Sequence, residues 1–569
     1  MIGVISKEGQ TQVVQEFFEL FKTPWEFYKP GRRYEVVLAT SDDLPEIDAK
    51  LLLVYGGQSK SIDSRYGLLV HSRVRGICLP YQQTCLPVYG EVATFEQADN
   101  SVPSITTSAG IVGLRIVSTT GDALLRLGYD IFQEAQRLLT EGQPGEYAHV
   151  PTLDLHIQML RNWILNENIP LLEIHPVPQG YSFTACLTHD IDFVGIRSHM
   201  FDHTMWGFLF RSTVGAAWKY LNGRIRIGQL LKCWGAAASL PFVFLGWMED
   251  FWEPFEWYLR AERGLAATYF LIPFKGHRGE RVPGRHGSRR AVAYEVADLT
   301  ERTATLQQHG CELGVHGIDA WHSVEKGRTE LAKVAKSIDN SPVGIRMHWL
   351  LQDSKTPLVL DESGYAYDST SGYNETIGYR NGTSQVFRPL GADTLLELPL
   401  HIQDGALFYP HNLNLTESEA EKRCHSLLKN SHEFGGVLTL LWHDRSHAAE
   451  RFWGGFYIKL VQTLKSSGVW FATCTQAVEW FRKRRQVRLE CRGTGDGVVT
   501  AVLYRGETPV PAFNLRVYRR AATDGTAHLS REGAFTYVDF PWRGETNIVF
   551  DSALNKIPEV HDVSPSVTL

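Results

Sequence analysis

The sequence predicts an α/β protein with a central parallel barrel or doubly wound sheet, a smaller α/β domain before it and a β-sandwich after it. Three observations carry this. Between residues 180 and 484, short apolar runs rich in β-branched and aromatic residues alternate with helical segments, as in repeated strand-then-helix units. Polar groups stand at the ends of several of those runs, where a parallel barrel keeps its chemistry. After Arg482-Lys-Arg-Arg485 the pattern changes to short alternating strands separated by Gly-rich or charged turns. With 569 residues the chain is too long for one hydrophobic core.

The first domain is expected over residues 1–175. Residues 13–21 have helical spacing, 34–39 and 50–55 read as buried strands, and 129–139 is amphipathic. Gly56-Gly57 follows a strand but lacks the rest of a nucleotide fingerprint. Residues 143–152 read as a linker into a helix over 152–166.

The central domain, 176–484, has candidate strands at 183–188, 267–272, 312–315, 344–346, 395–400, 437–442 and 469–472, with helices expected at 329–339 and 418–429. A long insertion, 199–263, is crowded with Trp, Phe and Arg and is expected as a packed cap over the site. Its most membrane-like run, 235–247, contains Pro241 and is too short to span a bilayer. Residues 485–569 then read as the β-sandwich, with strands near 487–491, 498–504, 514–518, 536–540 and 547–550.

Composition bounds the function. Hydrophobic residues at 43% and charged residues at 21% are ordinary for a soluble globular chain. A net charge of -6 gives no basic footprint for nucleic acid. The start of the chain has no basic region followed by an apolar core, so no signal peptide is expected. Eight scattered cysteines without CxxC point to reduced thiols in a cytoplasmic protein.

The chemistry concentrates at strand ends. The apolar run Tyr181–Leu187 leads into Thr188-His189-Asp190-Ile191-Asp192. Side chains alternate along a strand, so Asp190 and Asp192 share a face and His189 points to the other. Two acids held together need a cation, an arginine or a shared proton. The run Glu312–Val315 ends at His316, with Asp319, Ala320 and His322 following on the loop. Neutral imidazoles with one carboxylate make a zinc site. Arg346, at the end of the next strand-helix unit, is placed to hold a carboxylate ionised. His443-Asp444 ends the apolar strand 437–442.

In this order the segments resemble the polysaccharide deacetylase, or NodB-homology, family of carbohydrate esterases (family 4-like), over roughly residues 183–480. Thr188-His-Asp190-Ile-Asp192 resembles its first motif and Glu312-Leu-Gly-Val-His316 its second. Arg346-Met-His-Trp349, with 358–368 after it, resembles the arginine motif, and Leu440-Leu-Trp-His443 the last. Phe387-Arg388-Pro389 also resembles the arginine motif, but Arg346 fits the order of units better. The resemblance implies a distorted (β/α) barrel holding a divalent metal, Zn2+ first, on Asp192, His316 and His322. It implies Asp190 as general base held anionic by Arg346, and His443 as general acid supported by Asp368 or Asp444. The implied substrate is an acetylated amino sugar in a glycan or glycan precursor. The family's second metal histidine falls on Ala320 here, leaving His322 or Asp319 as third ligand. That departure keeps two other readings in play: a catalytically silent barrel that binds carbohydrate or a partner, and a metal-free hydrolase of a non-sugar amide.

Overall fold

The computed structural model describes residues 1–98, 100–118, 121–281, 290–338, 342–494, 497–503, 506–507, 509–520, 535–542, 546–550 and 559–562. The chain divides into two compact units: Met1–Gly180 with Asn381–Leu390 and Glu479–Leu569, and Tyr181–Arg380 with Gly391–Val478.

In the first unit, Ile2–Ile5, Trp25–Phe27, Tyr34–Ala39, Ala49–Tyr55 and Ala123–Leu127 form the parallel part of one sheet. The hairpin Val70–Tyr81 and Thr84–Phe95 continues it in antiparallel fashion through Gly110–Val117. Thr11–Phe21 forms because Val13, Val14, Phe17, Phe18 and Phe21 fall on one face, which it buries. Ile131–Thr140 is capped by the Asp130 carboxylate, which accepts from the amides of Phe132 and Gln133. Across the hairpin Cys78 lies opposite Pro87 and Cys85 opposite Pro80, and as diagonal neighbours the two cysteines form a disulfide, Cα to Cα 5.4 Å, where the sequence led us to expect reduced thiols. A register of two strands is invisible to cysteine spacing alone. Cys186, Cys233, Cys311, Cys424 and Cys474 are buried free thiols.

Of the C-terminal strands, Arg488–Thr494, Gly497–Leu503, Thr546–Phe550 and Glu559–Asp562 form one antiparallel sheet. Asn514–Arg520 and Phe535–Pro541 form another with Leu171–His175. Residues 521–534 and 563–569 of the expected sandwich lie outside the described residues.

The second unit is built on a curled, wholly parallel sheet. Its order is Leu396–Glu397, Tyr367–Asp368, Ile345–Met347, Glu312–Gly317, Ala267–Leu271, Thr184–Ile191, Val437–Leu441 and Ile402–Gln403, with Trp470–Phe471 also on Thr184–Ile191. Thr184–Ile191 is buried at every position, as a central parallel strand must be. Val324–Ala335 and Glu417–Phe434 are the expected helices between strands; Thr416 caps the second with Glu419 in a capping box. The two edge strands, Leu396–Glu397 and Ile402–Gln403, are separated in sequence only by residues 398–401, so the sheet curls nearly onto itself as a half-barrel.

The insertion is helical: His203–Phe210, a π turn at Arg211–Gly215, Ala216–Leu221, Ile227–Phe244 and Phe255–Ala261. Ile196, Phe208, Leu240, Val243 and Trp252 pack together with Ala448. One side of it packs in this way, while Phe201, Trp218, Leu221 and Trp247 are more than two-thirds exposed. Residues 235–244 of the run expected to be too short for a bilayer belong to one 18-residue helix that begins at Ile227 and carries Pro241 within it. That helix is long and apolar enough, by length and composition, to cross a membrane.

Candidate functional site

Parallel strands deliver the candidate residues to one end of the sheet. Asp190 lies in register with Phe270 and His316 with Arg346. Alternation then sends Asp190 and Asp192 to the same side, where His316 Nε2 lies 3.8 Å from Asp190 Oδ2 and 3.5 Å from Asp192 Oδ1. His189 faces away: its ring bridges the Trp442 carbonyl and Glu262, 2.8 Å each, against Tyr258 and Tyr269.

Arg346 supplies the charge that Asp190 needs. Its Nη1 donates to Asp190 Oδ1 at 3.0 Å and to Thr188 Oγ1 at 2.7 Å. Its Nε donates to the Ser369 carbonyl at 2.9 Å and Nη2 to Ser369 Oγ at 2.8 Å, with the guanidinium over the Phe270 ring at 4.5 Å. The other motif-like arginine, Arg388, lies in the first unit and pairs with Glu16 at 3.9 Å.

The group that fits a cation is Asp192, His316 and His348. His348 Nε2 is 3.3 Å from Asp192 Oδ1, an oxygen with no good hydrogen bond although it is buried. His316 Nδ1 donates to the Arg346 carbonyl at 3.0 Å, which leaves its Nε2 lone pair facing Asp192. Burial pushes the His348 imidazole down to about 3, so it is a neutral donor. Burial alone would raise the Asp192 carboxyl, but His348, His316 and His443 hold it below the usual carboxylate range. An orphaned carboxylate oxygen facing two imidazole nitrogens suits a divalent ion of the zinc class.

His322 and Asp319, the residues the sequence offered as third ligand, are placed elsewhere. Asp319 accepts from His277 Nε2 at 3.0 Å, His322 Nε2 at 3.3 Å and the Glu280 amide at 2.9 Å, making a second group with Glu280. His322 follows His316 by six residues along the loop, which carries it past the strand end. His348 instead follows Arg346 by two, so alternation returns it to the same face. That signal was available: the spacing that paired Asp190 with Asp192 pairs Arg346 with His348. The chain is tight immediately after it, with Trp349 and Leu350 both at positive φ, 66° and 52°, costing about 1–3 kcal/mol each.

His443 is held by Asp404, a residue the sequence did not single out. Asp404 Oδ1 accepts from His443 Nδ1 at 2.6 Å and Oδ2 from the His443 amide at 2.8 Å, and Ser446 Oγ donates to Oδ2 as well. Burial lowers the imidazole, but Asp404, then Asp192 and Asp190, outweigh it and the ring is pushed up to about 10. Neither expected partner meets it. Asp368 accepts from Thr370 and is raised to about 6 by burial, against hydrogen bonds from Thr370 and Glu397 that lower it. Burial also raises Asp444, to about 7, and its Oδ2 has no partner. The His443 side chain is 25% exposed and Asp192 19%, against 3% or less for Asp190, His316 and Arg346, so the first two mark the mouth.

No family description matches the chain, and no curated protein does. Among solved structures, it is similar to a putative polysaccharide deacetylase from Mycobacterium smegmatis over 55% of this chain and 95% of that one, with 18% identity and a TM-score of 0.32. It is similar to Puue allantoinase over 54% and 92%, with 13% identity and a TM-score of 0.33. A probable polysaccharide deacetylase from Pseudomonas aeruginosa matches over 54% and 94%, with 14% identity and a TM-score of 0.32.

Proposed function

We propose that this chain is a metal-dependent amide hydrolase that removes the N-acetyl group from an amino sugar in a glycan or glycan precursor. The observation that carries the reading is the pair of differently prepared side chains beside one cation-binding group: a carboxylate ion-paired with Arg346, and an imidazole kept cationic by Asp404. An amide is cleaved only when a base activates water and an acid protonates the departing nitrogen, and the two must hold opposite protonation states at one pH.

Asp192, His316 and His348 would hold the divalent ion, which supplies Lewis-acid charge to the scissile carbonyl. Asp190 has one oxygen committed to Arg346 and takes the water's proton on the other, Oδ2. His443, with Nδ1 committed to Asp404, donates from Nε2 to the leaving amine. The carbohydrate part of the proposal rests on the motif order along 183–480, and the amide part on the side-chain chemistry.

The test is release of acetate from N-acetylglucosamine oligomers by purified protein that holds about one divalent ion per chain. Asp190→Asn should retain the ion and lose turnover; turnover at the wild-type rate would remove Asp190 from the role of base. Activity that survives chelation would favour a metal-free amidase, and protein with neither ion nor activity a binding module.

A further inference from the structure

We propose that residues 199–248, the exposed part of the insertion 199–263 that precedes its acidic segment Glu249–Glu262, rest on a membrane surface rich in anionic phospholipid. Fifteen of the twenty-four exposed large apolar side chains among the described residues fall in this stretch of fifty, Trp206, Phe210, Trp218, Trp234 and Trp247 among them. Single exposed apolar residues are ordinary, but a concentration of this kind marks a surface that is covered in use.

Ile227–Phe244 explains how the insertion is covered. Apart from Gln229, Lys232 and Ser239 it is apolar on both faces, which normally means a helix buried on both sides. Here only Leu230, Cys233, Leu240 and Val243 are buried, and Cys233 Sγ donates to the Ala449 carbonyl at 3.4 Å. The spacing of those four puts them on one stripe, and Ile227, Leu231, Trp234 and Phe242 remain exposed. A helix with one stripe fastened to its own protein cannot be surrounded by lipid. Its second apolar stripe can lie in the headgroup boundary of one leaflet.

Charge identifies the occupant. Residues 199–248 hold Arg211, Lys219, Arg224, Arg226 and Lys232 against a single acid, Asp202, in a chain whose net charge is -6. All five basic residues are exposed. Basic residues interleaved with tryptophan are the composition of an element at an anionic interface, where the ring sits at headgroup depth and the cation meets phosphate. A second copy would bring the same positive face against itself and be repelled.

The experiment is co-sedimentation of the full chain with vesicles of phosphatidylglycerol in phosphatidylcholine and with vesicles of phosphatidylcholine alone. The protein should pellet with the anionic vesicles, far less with the neutral ones, and less as salt rises. Arg224→Gln with Arg226→Gln should weaken partitioning roughly twenty-fivefold, at about fivefold per charge. Brominated lipid should quench wild-type tryptophan fluorescence, and should quench a Trp218→Phe, Trp234→Phe variant less. Failure to pellet with anionic vesicles overturns the proposal, as does pelleting that both variants leave unchanged. Sedimentation velocity showing a dimer that buries this face, with no vesicle binding, assigns the surface to a second copy instead. None of these readouts depends on the enzymatic reading.

Discussion

Replacing Asp404 by asparagine removes the charge that prepares His443 and leaves a side chain of the same shape. Asp404 is fully buried and is the largest influence raising the ring, which stands at about 10 against an ordinary 6.5. At ~1.36 kcal/mol for each tenfold in proton affinity that interval is about 5 kcal/mol, shared with the smaller contributions of Asp192 and Asp190. In Asp404→Asn the imidazole should fall to roughly the ordinary histidine range. The assay is NMR titration of ring-labelled histidine in chelator-treated protein, with His443→Gln to assign the resonance, beside the pH dependence of acetate release. Wild type should keep its acid protonated until pH nears 10, whereas the variant should lose turnover about a hundredfold by roughly pH 9. Stability carries the same sign. Because the folded value is raised, His443 stabilises the fold fully below 6.5, and that contribution is lost as pH rises through about 10. An unchanged His443 titration in a folded variant would refute the assignment of Asp404 as its partner.

His348→Ala should weaken metal binding roughly tenfold to a hundredfold or more in competition with a chromophoric chelator, while His322→Ala should leave that affinity unchanged. Arg346→Met should lower the urea unfolding free energy by about 3–5 kcal/mol, because Asp190 is left charged and buried without its partner. A midpoint equal to wild type would mean that the Arg346–Asp190 pair contributes no net stability.

Much of the half-barrel was legible because its central strands are long and apolar: 183–188 and 437–442 stand close to the observed Thr184–Ile191 and Val437–Leu441. Strand-end position then found Asp190, Asp192, His316, Arg346 and His443, which do gather at one end of the sheet. The reading failed where elements are too short to have a pattern. Asp404 follows the two-residue strand Ile402–Gln403, which exists only through its ladder to Val437–Leu441. His348 lies beyond the three-residue strand Ile345–Met347, and attention to the loop after His316 drew the third ligand to His322. The outward face of the insertion was unreadable for another reason. A helix apolar on both sides has the same sequence whether two protein surfaces cover it or one.

Arg346 also bears on how the sheet is closed. From the Leu440 carbonyl, accepting from Thr188 Oγ1 at 2.6 Å, polar contacts run through Arg346 to Ser369, whose hydroxyl reaches the Leu398 carbonyl at 2.8 Å. The step from Arg346 to Thr188 and Asp190 is the one that crosses the lumen, joining Ile345–Met347 to Thr184–Ile191, two strands that share no backbone ladder. The guanidinium is therefore a crossbeam as well as a counter-ion. A descendant of this chain that lost Asp190 would keep the contacts of Arg346 with Thr188 and Ser369, whereas one that lost Arg346 would lose the ion pair and the bridge across the lumen in the same step.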